Sequence, residues 1–180
     1  MAFHQKVLSL SLLSAMAVGA AASAQQAISG AGASFPAPFY QAAFQSLSAS
    51  GGPKVNYQSV GSGAGVRQFI AGTVDFGATD EPIKPSEAAK VSRGVVQIPV
   101  VGGTIAVAYN KSDCPDLKLT QQQLADVFLG DIKTWDALKC GKGPIKVAHR
   151  SDGSGTTFAF TNSLSSFCLL YTSPSPRDRG

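Results

Sequence analysis

Apolar and polar positions along the first half of the chain follow two different periods. At residues 55–59 and 74–79 apolar side chains recur at every second position, which predicts strands, and the short segment at residues 27–29 predicts a third. Between these segments apolar residues recur every three or four positions, as in helices that bury one face. The repeated order of strand, turn and helix predicts an α/β fold with a largely parallel sheet.

Glycine-rich turns separate these strands from the helices that follow them. The turn at residues 30–33 precedes Ser34, which stands in the N-cap position of a helix with Pro36 in its first turn. A second turn at residues 61–65 begins another helix, and residues 86–91 predict a short third one.

The second half of the chain predicts further elements. These are strands at residues 95–101, 104–109 and 145–147, and helices at residues 121–129 and 156–167. Thr120 and Gln123 form a capping box at the start of the first of these helices. We expect the chain to cross from one lobe to another near residues 108–110, which gives lobes at residues 25–108 and 109–167.

The two ends of the sequence have the character of segments outside the fold. Residues 1–24 contain a lysine, an apolar run and a small-x-small site ending at Ala24, which predicts a secretory signal peptide. The apolar run is shorter than the roughly 20 residues that a membrane-spanning helix needs. Residues 168–180 resemble the translation of a sequencing adapter, the alternative being a genuine disordered tail. We therefore expect an exported protein whose native sequence is interrupted near residue 167.

Charge, histidine and cysteine content limit the possible functions. The formal net charge is +4, but half of it lies in the two terminal segments, so the remainder is too weakly basic to predict nucleic-acid binding. His149 is the one histidine outside the signal segment, which excludes a histidine-based metal cluster. Cys114 and Cys140 could pair in an exported protein or remain free thiols, because an even count does not establish pairing.

Residues 149–157 have the composition of an anion-binding turn. They contain an arginine, an aspartate, two glycines and several hydroxyl residues between a predicted strand and a predicted helix. A helix N-terminus offers free N–H groups and the positive end of its dipole, and Arg150 adds a planar cationic fork. The turns at residues 32–35 and 61–63 are similar, although each alone is commonly only a helix cap. Together with Asp80 they fall at the carboxyl ends of strands, where α/β sheets bind ligands.

Four segments, in the same order, resemble the periplasmic phosphate-binding protein family of phosphate ABC transporters (the PstS family). They are residues 28–38, 56–66, 74–80 and 150–156. The resemblance implies a two-lobed, type II periplasmic-binding-protein (flytrap) fold with phosphate in the cleft, here truncated within the second lobe. It also implies a periplasmic monomer that delivers phosphate to an inner-membrane ABC permease and has no enzymatic activity, no metal or cofactor, and no nucleic-acid partner.

The resemblance further implies which residues contact the ligand. They are Ser34, Phe35, Ser62, Asp80, Arg150, Ser154, Gly155 and Thr156. Asp152 would hold Arg150 in place. Ser34 stands where relatives have threonine, and it keeps the hydroxyl donor.

Asp80 is the residue that would choose between anions. A carboxylate beside a bound anion is repulsive unless the anion donates a proton, which phosphate near neutral pH can do and sulfate cannot. A site that includes Asp80 should therefore reject sulfate. The alternative is that Asp80 only caps the end of its strand near Thr79.

Two other functions compete with phosphate delivery. One is a secreted hydrolase of phosphate esters, and the other is a binder of a different oxyanion, or an adhesin, on the same scaffold. Against the hydrolase, the sequence has no Gly-x-Ser-x-Gly elbow and no Gly-Lys-Ser/Thr phosphate loop, and His149 has no evident nucleophile beside it.

Overall fold

The computed structural model describes residues 27–167, so the predicted signal peptide (residues 1–24) and the adapter-like segment (residues 168–180) lie outside the described residues. The elements are β1 (Ile28–Gly32), α1 (Ala37–Ala49), β2 (Val55–Ser59), α2 (Ser62–Ile70), β3 (Phe76–Ala78), α3 (Pro85–Ala88), α4 (Gln121–Leu129), a 3₁₀ turn (Asp136–Leu138) and α5 (Gly155–Phe167). Within residues 27–167, no helix combines the length and the apolar character needed to cross a bilayer.

The three strands form one parallel sheet with β1 in the centre. Their order is β2-β1-β3, and β1 pairs with β2 along its whole length. Helices connect the successive strands, as parallel pairing requires. This confirms the predicted α/β class and the parallel sheet.

The first strand extends further than residues 27–29, the range predicted from the sequence. Residues 30–33 were expected to form a turn, but β1 continues to Gly32. A Cβ atom on Gly30 would overlap the Phe76 ring, and one on Gly32, where φ is 148°, would overlap the backbone of Ala78. The glycines therefore allow β3 to lie close to β1 instead of turning the chain. Since β3 pairs only with Gly30–Gly32, it is shorter than the predicted 74–79.

Helix α3 ends earlier than residues 86–91, the range predicted from the sequence. It spans Pro85–Ala88, and the next backbone bonds run from Lys90 N to Glu87 O and from Val91 N to Ala88 O. These bonds span three residues, so the chain tightens into turns where the longer helix was expected.

Helix α4 forms at the predicted residues with the predicted cap. Thr120 Oγ1 accepts a hydrogen bond from Gln123 N at 3.2 Å, and Gln123 Oε1 accepts one from Thr120 N at 3.0 Å. The helix packs against α5 through Ala125 and Leu164, both buried. This small cluster is the core of the second half of the chain.

Cysteines 114 and 140 are joined by a disulfide that brackets α4. Their Cα atoms are 5.4 Å apart, within the usual range for a disulfide. The bond ties the segment before α4 to the residues after the 3₁₀ turn.

The strands predicted at residues 95–101, 104–109 and 145–147 do not form. These segments have no regular secondary structure, and Val96 and Ile98 are 84% and 70% exposed. A strand needs a neighbour to accept its hydrogen bonds, and within residues 27–167 none of these segments has a paired strand beside it. Residues 105–109 and 145–147 instead line an apolar cavity of about 1140 Å³.

Candidate functional site

The N-terminal turns of α1, α2 and α5 meet at the carboxyl ends of the strands. α1 and α2 each follow directly from a strand of the sheet, and hydrogen bonds join the turn before α5 to both of them. Within residues 27–167, the backbone N–H groups of Ser34, Phe35 and Thr156 have no acceptor. Free N–H groups at the positive ends of helices make a site suited to an anion.

Ser34 does not cap its own helix. Pro36 occupies the N-cap position of α1, and no side chain bonds to the helix end there. Ser34 Oγ instead accepts a hydrogen bond from Arg150 Nη1 at 3.3 Å. The predicted cap is therefore wrong, and the hydroxyl links two turns that are 116 residues apart in the sequence.

Ser62 links α2 to the start of α5, whereas Ser154 caps α5. Ser62 Oγ is buried and accepts a hydrogen bond from Gly155 N at 3.1 Å, so it serves the start of α5 rather than α2. Ser154 Oγ accepts a bond from Thr157 N at 3.2 Å and caps α5. Of the three serines that stand at the starts of helices, only Ser154 acts as a helix cap.

Arg150 and Asp152 form a two-point ion pair. Arg150 Nε donates to Asp152 Oδ1 at 2.7 Å, and Nη2 donates to Oδ2 at 2.5 Å. These hydrogen bonds hold the pKa of Asp152 below its ordinary value and raise the pKa of Arg150. The sequence suggested that the guanidinium fork faces a ligand and that Asp152 holds Arg150 in place. In the structure one edge of the fork faces Asp152, which leaves Nη1 beside Ser34.

Asp80 lies on the site and is not a local cap. Its Oδ2 atom accepts a hydrogen bond from Thr156 Oγ1 at 3.0 Å, while its Oδ1 atom has no partner within residues 27–167. Thr79 closes the turn after β3, since its Oγ1 atom accepts from Glu81 N at 3.0 Å. The Asp80 carboxylate is thus open on one side to a donor from outside the chain.

Glycines allow the turn at residues 150–156 to lie directly against α2. Gly63 N donates to Gly153 O at 2.8 Å, and a Cβ atom on Gly63 would lie 3.0 Å from Gly153 Cα. A Cβ atom on Gly155 would lie 2.7 Å from Asp80 N. Larger residues at these positions would push the two halves of the site apart.

The structure therefore brings the predicted site residues into one cluster. Its members are Ser34, Phe35, Ser62, Asp80, Arg150, Asp152, Ser154, Gly155 and Thr156. Phe35 is 44% exposed and its ring lies against Gly103, while its backbone N–H offers the free donor.

Sequence reasoning missed Tyr57 and the contact between Gly63 and Gly153. The Tyr57 hydroxyl donates to Ala33 O at 2.6 Å, next to Ser34. Strand alternation was the sole sequence signal at Tyr57, and it gave no indication of this bond.

Two features of the described residues bear on the hydrolase alternative. His149 is exposed, and its Nδ1 atom lies 3.0 Å from Arg150 O, with no hydroxyl or thiol bonded to the ring within residues 27–167. In the same part of the chain, no three histidine, cysteine, aspartate or glutamate side chains cluster to hold a metal ion.

The sequence matches the PBP superfamily domain over residues 19–169. It is 48% identical to the phosphate-binding protein PstS of Haemophilus influenzae and 46% identical to that of Pasteurella multocida. The alignments cover 77% and 78% of this chain but 44% and 43% of those proteins. The chain is also 33% identical to alkaline phosphatase L of Pseudomonas aeruginosa, over 87% of this chain and 47% of that protein.

Solved structures agree with these matches. A protein from Clostridium perfringens, described as a phosphate ABC transporter substrate-binding protein with bound phosphate, superimposes with a TM-score of 0.69 at 26% identity, over 77% of this chain and 56% of that one. An ABC-type phosphate transport receptor from Vibrio cholerae, at 20% identity and a TM-score of 0.52, shares the fold over 78% of this chain and 56% of that one. The chain spans less than half the length of the curated relatives it matches. From its sequence and its fold, the chain belongs to the PBP superfamily.

Proposed function

We propose that this chain belongs to an extracytoplasmic solute-binding protein that captures inorganic phosphate and delivers it to an ABC-type permease. The observation that carries the proposal is the meeting of three helix N-termini, with free N–H groups, around Arg150 and Asp80. The PstS names of the relatives and the phosphate bound to the Clostridium perfringens protein support the same ligand.

Donors from two sides of the site would hold the anion. The N–H groups of Ser34 and Phe35 come from the turn that precedes α1, and that of Thr156 comes from the first turn of α5. Arg150 adds a permanent positive charge through Nη1, because Asp152 already occupies Nε and Nη2. In this proposal Ser62, Ser154 and Gly155 complete the set of contacts.

Asp80 would supply the selectivity for a protonated anion. Its unpartnered Oδ1 atom can accept the O–H of phosphate, whereas sulfate would leave the carboxylate facing a full negative charge. The cost of that unpaired, partly buried contact would exclude sulfate.

The first prediction concerns the variant Asp80→Asn. We expect it to lower the ratio of phosphate to sulfate affinity by roughly tenfold or more, because an amide can donate to sulfate. Competitive titration calorimetry with the two anions measures this ratio. Asp75→Asn is the control, since that carboxylate bonds to Ser29 at 2.7–2.8 Å at the other end of the strands. An unchanged ratio in Asp80→Asn would contradict the selectivity role.

We infer export through the signal peptide at residues 1–24 into the periplasm, and action as a monomer without nucleic acid. We also propose that residues 25–108 belong to the first lobe and residues 109–167 to the second, with the anion between them. Size-exclusion chromatography and amino-terminal sequencing of the exported chain test the monomer and the cleavage after Ala24.

A phosphate-ester hydrolase is the second candidate, and the relative named alkaline phosphatase L is the observation that favours it. Binding of phosphate without turnover of a chromogenic phosphate ester is the result we expect. Turnover that phosphate inhibits would replace the delivery function with hydrolysis. Tighter binding of sulfate than of phosphate would instead favour a carrier of another oxyanion.

A further inference from the structure

Tyr57 connects the middle of the edge strand β2 to the first turn of the site. Its ring is half-buried, stacks on Phe76 with centroids 6.0 Å apart and meets Tyr40 edge-on at 5.1 Å. These contacts fix the ring, so the hydroxyl has a defined position. From there it donates a hydrogen bond of 2.6 Å to Ala33 O.

Ala33 is held from both neighbouring strands. Its N–H donates to Ala78 O at 2.9 Å, and its carbonyl accepts the Tyr57 hydroxyl. Ala33 itself is 2% exposed, and its bond to the Tyr57 hydroxyl is partly buried. The residue that precedes Ser34 is thus fixed by all three strands of the sheet.

The planarity of the peptide bond carries this constraint to the ligand side. In a trans peptide the carbonyl oxygen of one residue and the N–H of the next point in opposite directions. Since Ala33 O is directed to Tyr57, Ser34 N–H is directed away from it, and that N–H has no acceptor within residues 27–167. Ser34 Oγ lies on the site at 3.3 Å from Arg150 Nη1.

We propose that Tyr57 is a positioning residue for the anion site, and that its hydroxyl orients the Ala33–Ser34 peptide so that Ser34 N–H faces the bound anion. This inference rests on the proposed function. In this role Tyr57 acts on the anion through the Ala33–Ser34 peptide. Burial, the Tyr40 phenol and the charge of Asp80 together raise the pKa of Tyr57, so the hydroxyl keeps the proton it donates throughout the neutral range.

The test removes the hydroxyl and keeps the ring. Tyr57→Phe retains the packing on Phe76, and we expect it to bind inorganic phosphate about five- to tenfold more weakly than the full wild-type chain. Tyr109→Phe is the matched control. Its one O–H also points to backbone carbonyls and lies within hydrogen-bond distance of Pro115 O at 2.6 Å and Cys114 O at 2.9 Å, neither of which is part of the site.

The amide signals of ¹⁵N-labelled protein separate positioning from a general loss of structure. In Tyr57→Phe the shift of the Ser34 amide on adding phosphate should shrink, while that of the Thr156 amide on α5 persists. In Tyr109→Phe both shifts should persist. This pattern, together with the weaker binding, would support the positioning role.

Three outcomes would overturn it. Wild-type affinity and a wild-type Ser34 shift in Tyr57→Phe would show that the hydroxyl does not orient the peptide. Equal loss of the Ser34 and Thr156 shifts would assign Tyr57 a structural role only. A wild-type chain that gives no response to phosphate would overturn the proposed function, and the positioning role with it.

Discussion

Two regions of the molecule have similarly apolar sequences but differ in how far their apolar side chains are buried. In the sheet region (residues 28–78), Ala31, Val74 and Ala78 are almost fully buried beneath a paired ladder. In the outer region (residues 95–150), Val96, Ile98 and Val100 of a predicted strand are 65–84% exposed, whereas Ala125 and Val127 of α4 are buried. Apolar periodicity therefore indicates which face would be buried, but burial itself requires a neighbour that accepts the backbone hydrogen bonds.

The difference determines how each half of the site is held. The strands of the sheet place Ser34 and Asp80, which follow β1 and β3. The turn at residues 150–156 has no strand before it and is held by contacts to the sheet region, among them the bond between Gly63 N and Gly153 O. The position of Arg150 thus depends on residues far away in the sequence.

The largest expected effect tests the close packing of the sheet region. Gly32→Ala should destabilise the fold by about 4 kcal/mol, because the new methyl group overlaps the Ala78 backbone at a φ of 148°. Denaturant unfolding followed by circular dichroism measures the loss.

The control for this comparison lies in the outer region. A Cβ atom on Gly102 would meet no atom within 4 Å, so Gly102→Ala should change the free energy of unfolding by less than about 1 kcal/mol. Equal effects of the two substitutions would contradict the distinction between the regions.

The next effect tests what holds the outer region together. Cys114→Ser removes the disulfide to Cys140, which spans 26 residues, and should cost about 3 kcal/mol on the chain-entropy account. Urea unfolding with and without reductant measures it, and the variant should lose its sensitivity to reductant. Thiol titration of the denatured, unreduced wild-type chain should find one free thiol among its three cysteines, from Cys168. Three free thiols before reduction would show that the bond is absent.

The smallest effect concerns the ion pair that joins Arg150 to Asp152. Because the folded pKa of Asp152 is depressed, its contribution to stability is present above the ordinary value of 3.8 and is lost as the pH falls through the lower folded pKa. Both side chains are more than two-fifths exposed, so solvent screening limits the contribution to roughly 0.5 kcal/mol. The stability difference between wild type and Asp152→Asn should therefore shrink as the pH falls from 5 to 2. A difference that stays constant over this range would mean that the pair does not contribute.

Local signals predicted the elements that depend on local interactions. The capping box of Thr120 and Gln123 fixed the start of α4, and the helical spacing after Gly155 predicted α5. Glycine was the ambiguous signal, because the same freedom that makes a turn also lets two backbones approach. Gly30 and Gly32 lie in strand β1 and not in a turn, because strand β3 packs closely against them.

The sequence by itself determined the α/β class, the residue types of an anion site and their places in the turns. It could not determine which hydroxyl serves which helix, because Ser34 and Ser62 bond to groups 116 and 93 residues away. It also could not reveal that Tyr57 holds the peptide before Ser34. Those choices were made by the tertiary structure, since a hydrogen bond depends on distance and direction between atoms, and only the packed fold brings these distant atoms together.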